Sequence, residues 1–250
     1  LLTRESMVNA FSFCLYGTDT RLYHRGFLEN LELVKRYYPG WIVYVYLGTD
    51  VAPEFREYFL RDPIIRVRDT GTTGAVLMIH RFFAIDEPDV DVCFFRDADS
   101  RIHWKDRWAI NDFMRSNYNA HVIRDNVQHT AMIMGGLWAL RRNALKTSMR
   151  SIFEGWTPVY AGNGHPDKLD GHGMDQNFLL KTVYPLVQST LLVHYSFKHL
   201  LYPSEKAVQF PFTWTNDIYC GRVELSVFSD SNAPPAPFKL PSVFVKLSHT

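Results

Sequence analysis

Cysteine is scarce in this chain: Cys14, Cys93 and Cys220 are the only three in 250 residues. An odd, widely spaced set does not make a disulfide framework or a zinc-finger spacing. It reads as reduced interior thiols of an intracellular protein. A surplus of one charge is also missing. Lys and Arg total 27 against 26 Asp and Glu, a net charge of +1. That balance gives no electrostatic footprint for nucleic acid. No apolar run approaches the ~20 residues that span a bilayer, and Leu1 to Ala10 lacks the apolar stretch of a signal peptide. A cytoplasmic location without a membrane span is therefore expected. The first residue is not Met, so further domains of a longer chain are compatible with the sequence. No repeat of fixed period is present.

What is abundant is apolar and aromatic side chain: 46% hydrophobic, 15% aromatic, 21% charged. A chain of this size folded as one α/β domain buries roughly 70–75% of its surface. Apolar runs and helical patterns alternate through the first hundred residues. Val8 to Tyr16, Trp41 to Leu47, Ile64 to Val67 and Val92 to Phe95 read as strands. Gly26 to Tyr38, Pro53 to Leu60 and Ala75 to Ile85 read as helices between them. This alternation predicts βαβ units and a mainly parallel sheet flanked by helices. Further on, Lys105 to Asn117, Asn143 to Phe153 and Asp175 to Val183 are expected as helices. Ala120 to Ile123 and Leu191 to Val193 are expected as strands. Ala131 to Leu140 is apolar with Gly135-Gly136 in the middle; glycines inside an apolar strand are expected at a bulge or where a backbone or ligand approaches closely. Gly162 to Gly173 reads as a loop holding His165, Asp167, Asp170 and His172, either a mobile acceptor lid or a solvated loop. Residues 1–205 are expected to form the main domain. Residues 206–250 are expected to be an extension with a Pro-rich tail at Ala233 to Pro237.

The stretch with most chemical content is Asp91 to Arg101, DVCFFRDADSR. A buried strand that ends in Asp97 and Asp99 brings two carboxylates together where each resists leaving water. A divalent cation relieves both problems and can bridge to phosphate oxygens. The competing reading is that the two aspartates cap the following turn. Strand ends are where open α/β sheets bind ligands.

Taken together, FSFCLYG (Phe11 to Gly17), PGW (Pro39 to Trp41), RDADSR (Arg96 to Arg101), Arg124-Asp125 with His129, and MGGLW (Met134 to Trp138) resemble GT-A glycosyltransferases with a D-x-D motif. The likeness is to viral and bacterial sugar-transferase domains, and more distantly to GT8-type retaining transferases. It spans about Val8 to Lys198. One departure is Asn126, which stands where those domains place a His after the RD pair. The resemblance implies a single-domain GT-A, Rossmann-like fold and transfer of a hexose, galactose or glucose, from a UDP-sugar to a glycan acceptor. It implies Mn²⁺ (or Mg²⁺) held by Asp97, Asp99 and His194. It implies donor contacts from Tyr16, Gly17, Arg81, Asp97, Ser100, His129, Gly135, Gly136 and Lys198. Asp175 and Gln176 would stand near the anomeric carbon, as an oxocarbenium-stabilising pair in a retaining enzyme or with Asp175 as base in an inverting one. The Asp-Gln pair favours retention. Two other readings stay open at this point: an aspartyl-nucleophile phosphatase with Asp97 as nucleophile, and a non-catalytic glycan-binding domain.

Overall fold

The computed structural model describes residues 7–156 and 173–223. His165, Asp167, Asp170 and His172 and the stretch Ala233 to Pro237 lie outside the described residues. Among these residues eight strands form one sheet in the order β3-β2-β1-β4-β6-β5-β7-β8. They are β1 (Val8–Leu15), β2 (Ile42–Leu47), β3 (Ile65–Asp69), β4 (Val90–Arg96), β5 (Ala120–Arg124), β6 (Leu137–Arg141), β7 (Leu191–Tyr195) and β8 (Lys206–Gln209). Only β6 runs against its neighbours, β4 and β5; the other pairings are parallel. The expected fold class, a mainly parallel sheet flanked by helices, is the one found.

Alternation along the strands builds two cores, one on each face. Ala10 and Cys14 of β1 and Cys93 and Phe95 of β4 pack with Leu77, Phe82, Trp138 and Phe178. Phe11, Phe13 and Leu15, with Val92 and Phe94, face Phe27, Leu31, Phe55 and Ile110 on the other side. The second face is covered by α1 (Arg25–Tyr37), α2 (Pro53–Leu60) and α4 (Trp104–Arg115). The first is covered by α3 (Leu77–His80), α5 (Met149–Glu154), α6 (Met174–Phe178) and α7 (Tyr184–Val187). Among the described residues no helix is long and apolar enough to cross a membrane.

Four expectations change. The helix expected over Ala75 to Ile85 is α3 followed by a 3-10 turn, Arg81–Asp86, and the Arg81 carbonyl accepts from the Ser12 hydroxyl at 2.7 Å. The helix expected from Asn143 starts only at Met149. Asn143 is left-handed (φ 65), and the Asp86 carboxylate caps the amides of Met149 and Arg150 at 2.8 and 2.9 Å. The helix expected to close before Pro185 runs past it. A π turn, Leu179–Val183, absorbs the missing proline N–H before Tyr184–Val187 resumes. Gly135-Gly136 lies in the turn before β6, not within a strand. Strand β8 was not foreseen: a four-residue edge strand, half exposed, has little apolar pattern to read.

Candidate active site

Parallel strands β1, β4, β5 and β7 deliver their C-terminal ends to one edge of the sheet. Antiparallel β6 delivers its N-terminal end there, with Leu137 opposite Arg96. This edge therefore gathers Tyr16-Gly17, Asp97 to Ser100, Asp125, Gly135-Gly136 and Ser196 to Lys198. It is the edge where a doubly wound sheet binds ligands.

Arg81 organises the centre. Its side chain is 3% exposed. Nη1 donates to Asp97 Oδ1 at 2.5 Å, and Nη2 donates to Asp175 Oδ2 at 2.7 Å. One buried cation thus joins the D-x-D turn to the start of α6. Gly135 and Gly136 make room for this arrangement. A Cβ on Gly135 would overlap the Asp175 carboxylate, and one on Gly136 would overlap that of Asp97. The close approach expected at these glycines is made by two carboxylates of the chain itself.

The D-x-D turn is clamped from behind by α1. Asn30 Nδ2 donates to the Ser100 carbonyl at 2.7 Å, and Asn30 Oδ1 accepts from the Ile102 amide at 3.0 Å. Buried Glu29 accepts from Arg101 Nε at 2.7 Å and from Arg25 Nε at 2.9 Å. Gly26 lies against the Ala98 carbonyl, with no space for a Cβ. Arg96 turns inward to Asp106 at 3.0 Å and to the Trp138 carbonyl at 3.2 Å. So both arginines flanking the motif, Arg96 and Arg101, brace it from inside the protein.

The two aspartates differ in setting. The Asp97 side chain is 46% exposed and paired with Arg81. Asp99 is partly buried, and burial together with the Asp97 charge pushes its carboxyl up to about 6. Burial, opposed by Arg81, also raises Asp175. Tyr16 and Tyr23 flank the group. Burial lifts the Tyr16 phenol to about 12, and burial followed by the charges of Asp99 and Asp19 raises Tyr23. Cys14, 4.0 Å from Arg81, is a buried neutral thiol, pushed up to about 12 by burial. Gly17 has φ +77 and donates its amide to Asp50 Oδ2 at 2.9 Å, tying the end of β1 to that of β2.

Not every expected residue reaches this centre. His194 sits within β7, which lies three strand spacings from β4, roughly 14 Å. Both its ring nitrogens are engaged: Nε2 with Asp112 Oδ2 at 3.1 Å and Nδ1 with His121 Nε2 at 2.8 Å. Burial, opposed by Asp112, lowers it to about 4. The geometry does not bring His194 to Asp97 and Asp99, because a side chain inside a strand cannot reach past the strand end. Ser100 is buried, its hydroxyl 3.4 Å from the Asp97 carbonyl, and fastens the turn. His129 is buried, with Nδ1 accepting from the Asp125 amide at 3.1 Å; burial lowers it to about 4. Arg124 and Asp125 are structural, paired with Glu205 at 2.7 Å and Lys105 at 2.7 Å. Lys198 is exposed on the edge, and Gln176 is partly buried beside Asp175. Tyr23, Gly26, Glu29 and Asn30 were missed. A polar Glu-Asn pair on the buried face of a helix was the available signal.

Among the described residues, the one group of potential metal ligands converging within 4.8 Å is His103, Asp106 and Cys220. Its members already have internal roles. Asp106 pairs with Arg96, and His103 Nδ1 caps α4 by accepting from the Lys105 amide at 3.1 Å.

No protein-family model and no curated protein sequence matches the chain. Solved structures are similar in fold. A 4-diphosphocytidyl-2C-methyl-D-erythritol synthase from Anaerococcus prevotii superposes with a TM-score of 0.51 at 11% identity, over 79% of this chain and 90% of that one. A glycosyltransferase involved in glycosylation of the major capsid of PBCV-1 gives 0.48 at 14% identity, over 75% and 81%. A mannosyltransferase from Pyrobaculum calidifontis, solved with GDP-Man and Mn²⁺, gives 0.49 at 13% identity; 82% of this chain matches 54% of that one. At such identities the likeness is one of fold. The Rossmann-like, GT-A type of sheet expected from the motifs is the sheet this chain has.

Proposed function

We propose that this chain is a metal-dependent glycosyltransferase that moves a hexose, galactose or glucose, from a UDP-sugar to a glycan acceptor with retention. The observation behind this reading is the Asp97 and Asp99 pair. Two carboxylates stand at the ligand-binding edge of the sheet, clamped by α1, and Arg81 hydrogen-bonds only the first of them. A turn cap has no need of such bracing, and the strained ionisation of Asp99 is what a bound cation would relieve. The donor set fits a hard divalent ion. Without the His194 imidazole it is oxygen only, which Mg²⁺ accepts as well as Mn²⁺. The ion, when bound, would neutralise charge developing on the diphosphate leaving group.

The chain's own residues then divide the remaining work. Arg81 holds Asp97 and Asp175 at a fixed separation. Asp175, buried beside that cation, presents a fixed negative group to the anomeric carbon, with Gln176 next to it. Tyr16 and Gly17 at the end of β1 hold the nucleoside, and Tyr23 feels the charges of Asp99 and Asp97. Lys198 offers an exposed cation to phosphate oxygens. The phosphatase reading is weaker, because Asp97 as nucleophile would have to attack while its Oδ1 accepts a hydrogen bond from Arg81.

Calorimetric titration with UDP, with and without Mn²⁺, tests the proposal. Binding is expected only with the metal and is expected to vanish in Asp99→Ala. UDP binding that ignores the metal, or preference for GDP or CDP over UDP, overturns it.

A further inference from the structure

The segment from Trp214 to Val223 runs along the edge of the sheet. At one end the Trp214 indole N–H donates to the Asp125 carbonyl at 2.7 Å, beyond the end of β5. In the middle the Cys220 amide donates to Asp125 Oδ2 at 2.9 Å. At the other end Val223 bridges to Ser100, the residue after the D-x-D motif. This strap carries rings to a part of the edge the reaction scheme has not used. Trp214 lies edge-on to Phe197 with centroids 5.2 Å apart. It is stacked with Tyr219 at 6.4 Å and 26°. All three residues are half-buried. Asn216 and Asp217, both exposed, form the turn between Trp214 and Tyr219.

Buried aromatic clusters are ordinary; a tiled, half-open one with a hydrogen-bonded indole is not needed by the core. Rings with locked orientation suit the axial C–H face of a pyranose, while neighbouring amide and carboxylate groups suit its hydroxyls. A nucleobase is the other flat ligand such rings take. The sheet order argues against it. The nucleoside end of the donor belongs at β1, on one side of β4. The rings stand past β5 and β7, on the other side, roughly 10–14 Å from β4 at ~4.8 Å per strand. That separation is the reach of a sugar and one further pyranose.

We infer that Trp214, Tyr219 and Phe197 form a stacking subsite for a pyranose ring of the glycan acceptor. The inference deepens the glycosyltransferase reading and rests on it. Saturation-transfer difference NMR tests it on the whole chain loaded with Mg²⁺ and UDP, using cellobiose, lactose and chitobiose as probes. At least one disaccharide should receive saturation on its axial ring protons. Its affinity should fall roughly 5–10-fold in Trp214→Ala and in Tyr219→Ala, and recover in Trp214→Phe. UDP affinity should be unchanged in all three variants. Tyr219→Ala keeps the test sound if loss of the indole hydrogen bond unfolds the strap. Absence of saturation for all three disaccharides, or saturation that survives both alanine variants, overturns the subsite. Loss of UDP binding in the parent chain, with disaccharide saturation intact, would instead overturn the donor reading and leave a glycan-binding surface.

Discussion

Arg81 Nη2 lies 2.7 Å from Asp175 Oδ2, joining residues 94 positions apart at the centre of the candidate site. Both side chains are nearly enclosed, at 3% and 7% exposure. Removing one partner of such a pair leaves the other charge unpaired in low dielectric. Arg81→Met is therefore expected to destabilise the chain by about 3–5 kcal/mol, read as a lower urea midpoint. Arg81→Lys should restore much of that stability but not metal-dependent UDP binding, since one ammonium cannot present two fixed donors to two carboxylates. Full function in Arg81→Lys would show that charge alone suffices.

Gly136 tests the geometry without changing any charge. A methyl group there would displace the Asp97 carboxylate. Gly136→Ala is expected to cost about 1–3 kcal/mol of stability and to weaken metal affinity by roughly 10–100-fold. Titration of Mn²⁺ by electron paramagnetic resonance reads the second effect directly. Unchanged affinity would mean that Asp97 is not a metal ligand.

The elements of the first half were legible because their strands are rich in apolar residues and are followed closely by Gly or Asp. Pro53–Leu60 is found at the boundaries expected of it. Local signals failed where a distant partner decided the structure. The helix expected from Asn143 starts at Met149 instead, capped by Asp86, 63 residues earlier in the chain. The aspartates were visible from the break between an apolar strand and two carboxylates. Their clamp was only hinted at by a Glu29-Asn30 pair on the buried side of a helix, because the partners that explain it, Arg101 and Ser100, lie 70 and more residues away. His194 is a different case. A histidine near a strand end reads as a ligand in sequence, yet pairing with β5 puts it beside His121 and makes it part of the interior.

Asp99 separates a ligand-binding role from a capping role by the sign of one effect. Its carboxyl titrates near 6 in the folded chain, above its ordinary 3.8. A raised acid favours the folded state only while protonated, so wild-type Asp99 destabilises the metal-free protein above pH 6. That penalty fades as pH falls toward 4. Asp99→Asn should accordingly raise metal-free stability at pH 7.5 by on the order of 1–2 kcal/mol, allowing for partial exposure. The gain should be absent near pH 4, and UDP binding should be lost. Thermal melts in chelator at both pH values check this. A lower melting temperature for Asp99→Asn at pH 7.5 would mean that Asp99 caps the turn.

The His121–His194 pair gives the opposite pH slope. The network assigns its protons: His194 Nε2–H donates to Asp112, and His121 Nε2–H donates to His194 Nδ1. Buried His121 Nδ1 has no hydrogen-bond partner among the described residues. Burial holds His194 down to about 4 and His121 well below its usual range. The unfolded chain takes up these protons near pH 6.5, whereas the folded chain resists them. The stability they confer is thus full above pH 6.5 and is lost as pH falls toward 4, by on the order of 2–3 kcal/mol. Urea midpoints at pH 7.5, 6 and 5 should fall more steeply for the wild type than for His121→Phe/His194→Phe. Equal slopes would refute the account. In the same series His194→Ala should keep Mn²⁺-dependent UDP binding, because the imidazole is committed to Asp112 and His121. Loss of metal affinity in a folded His194→Ala would return His194 to the metal.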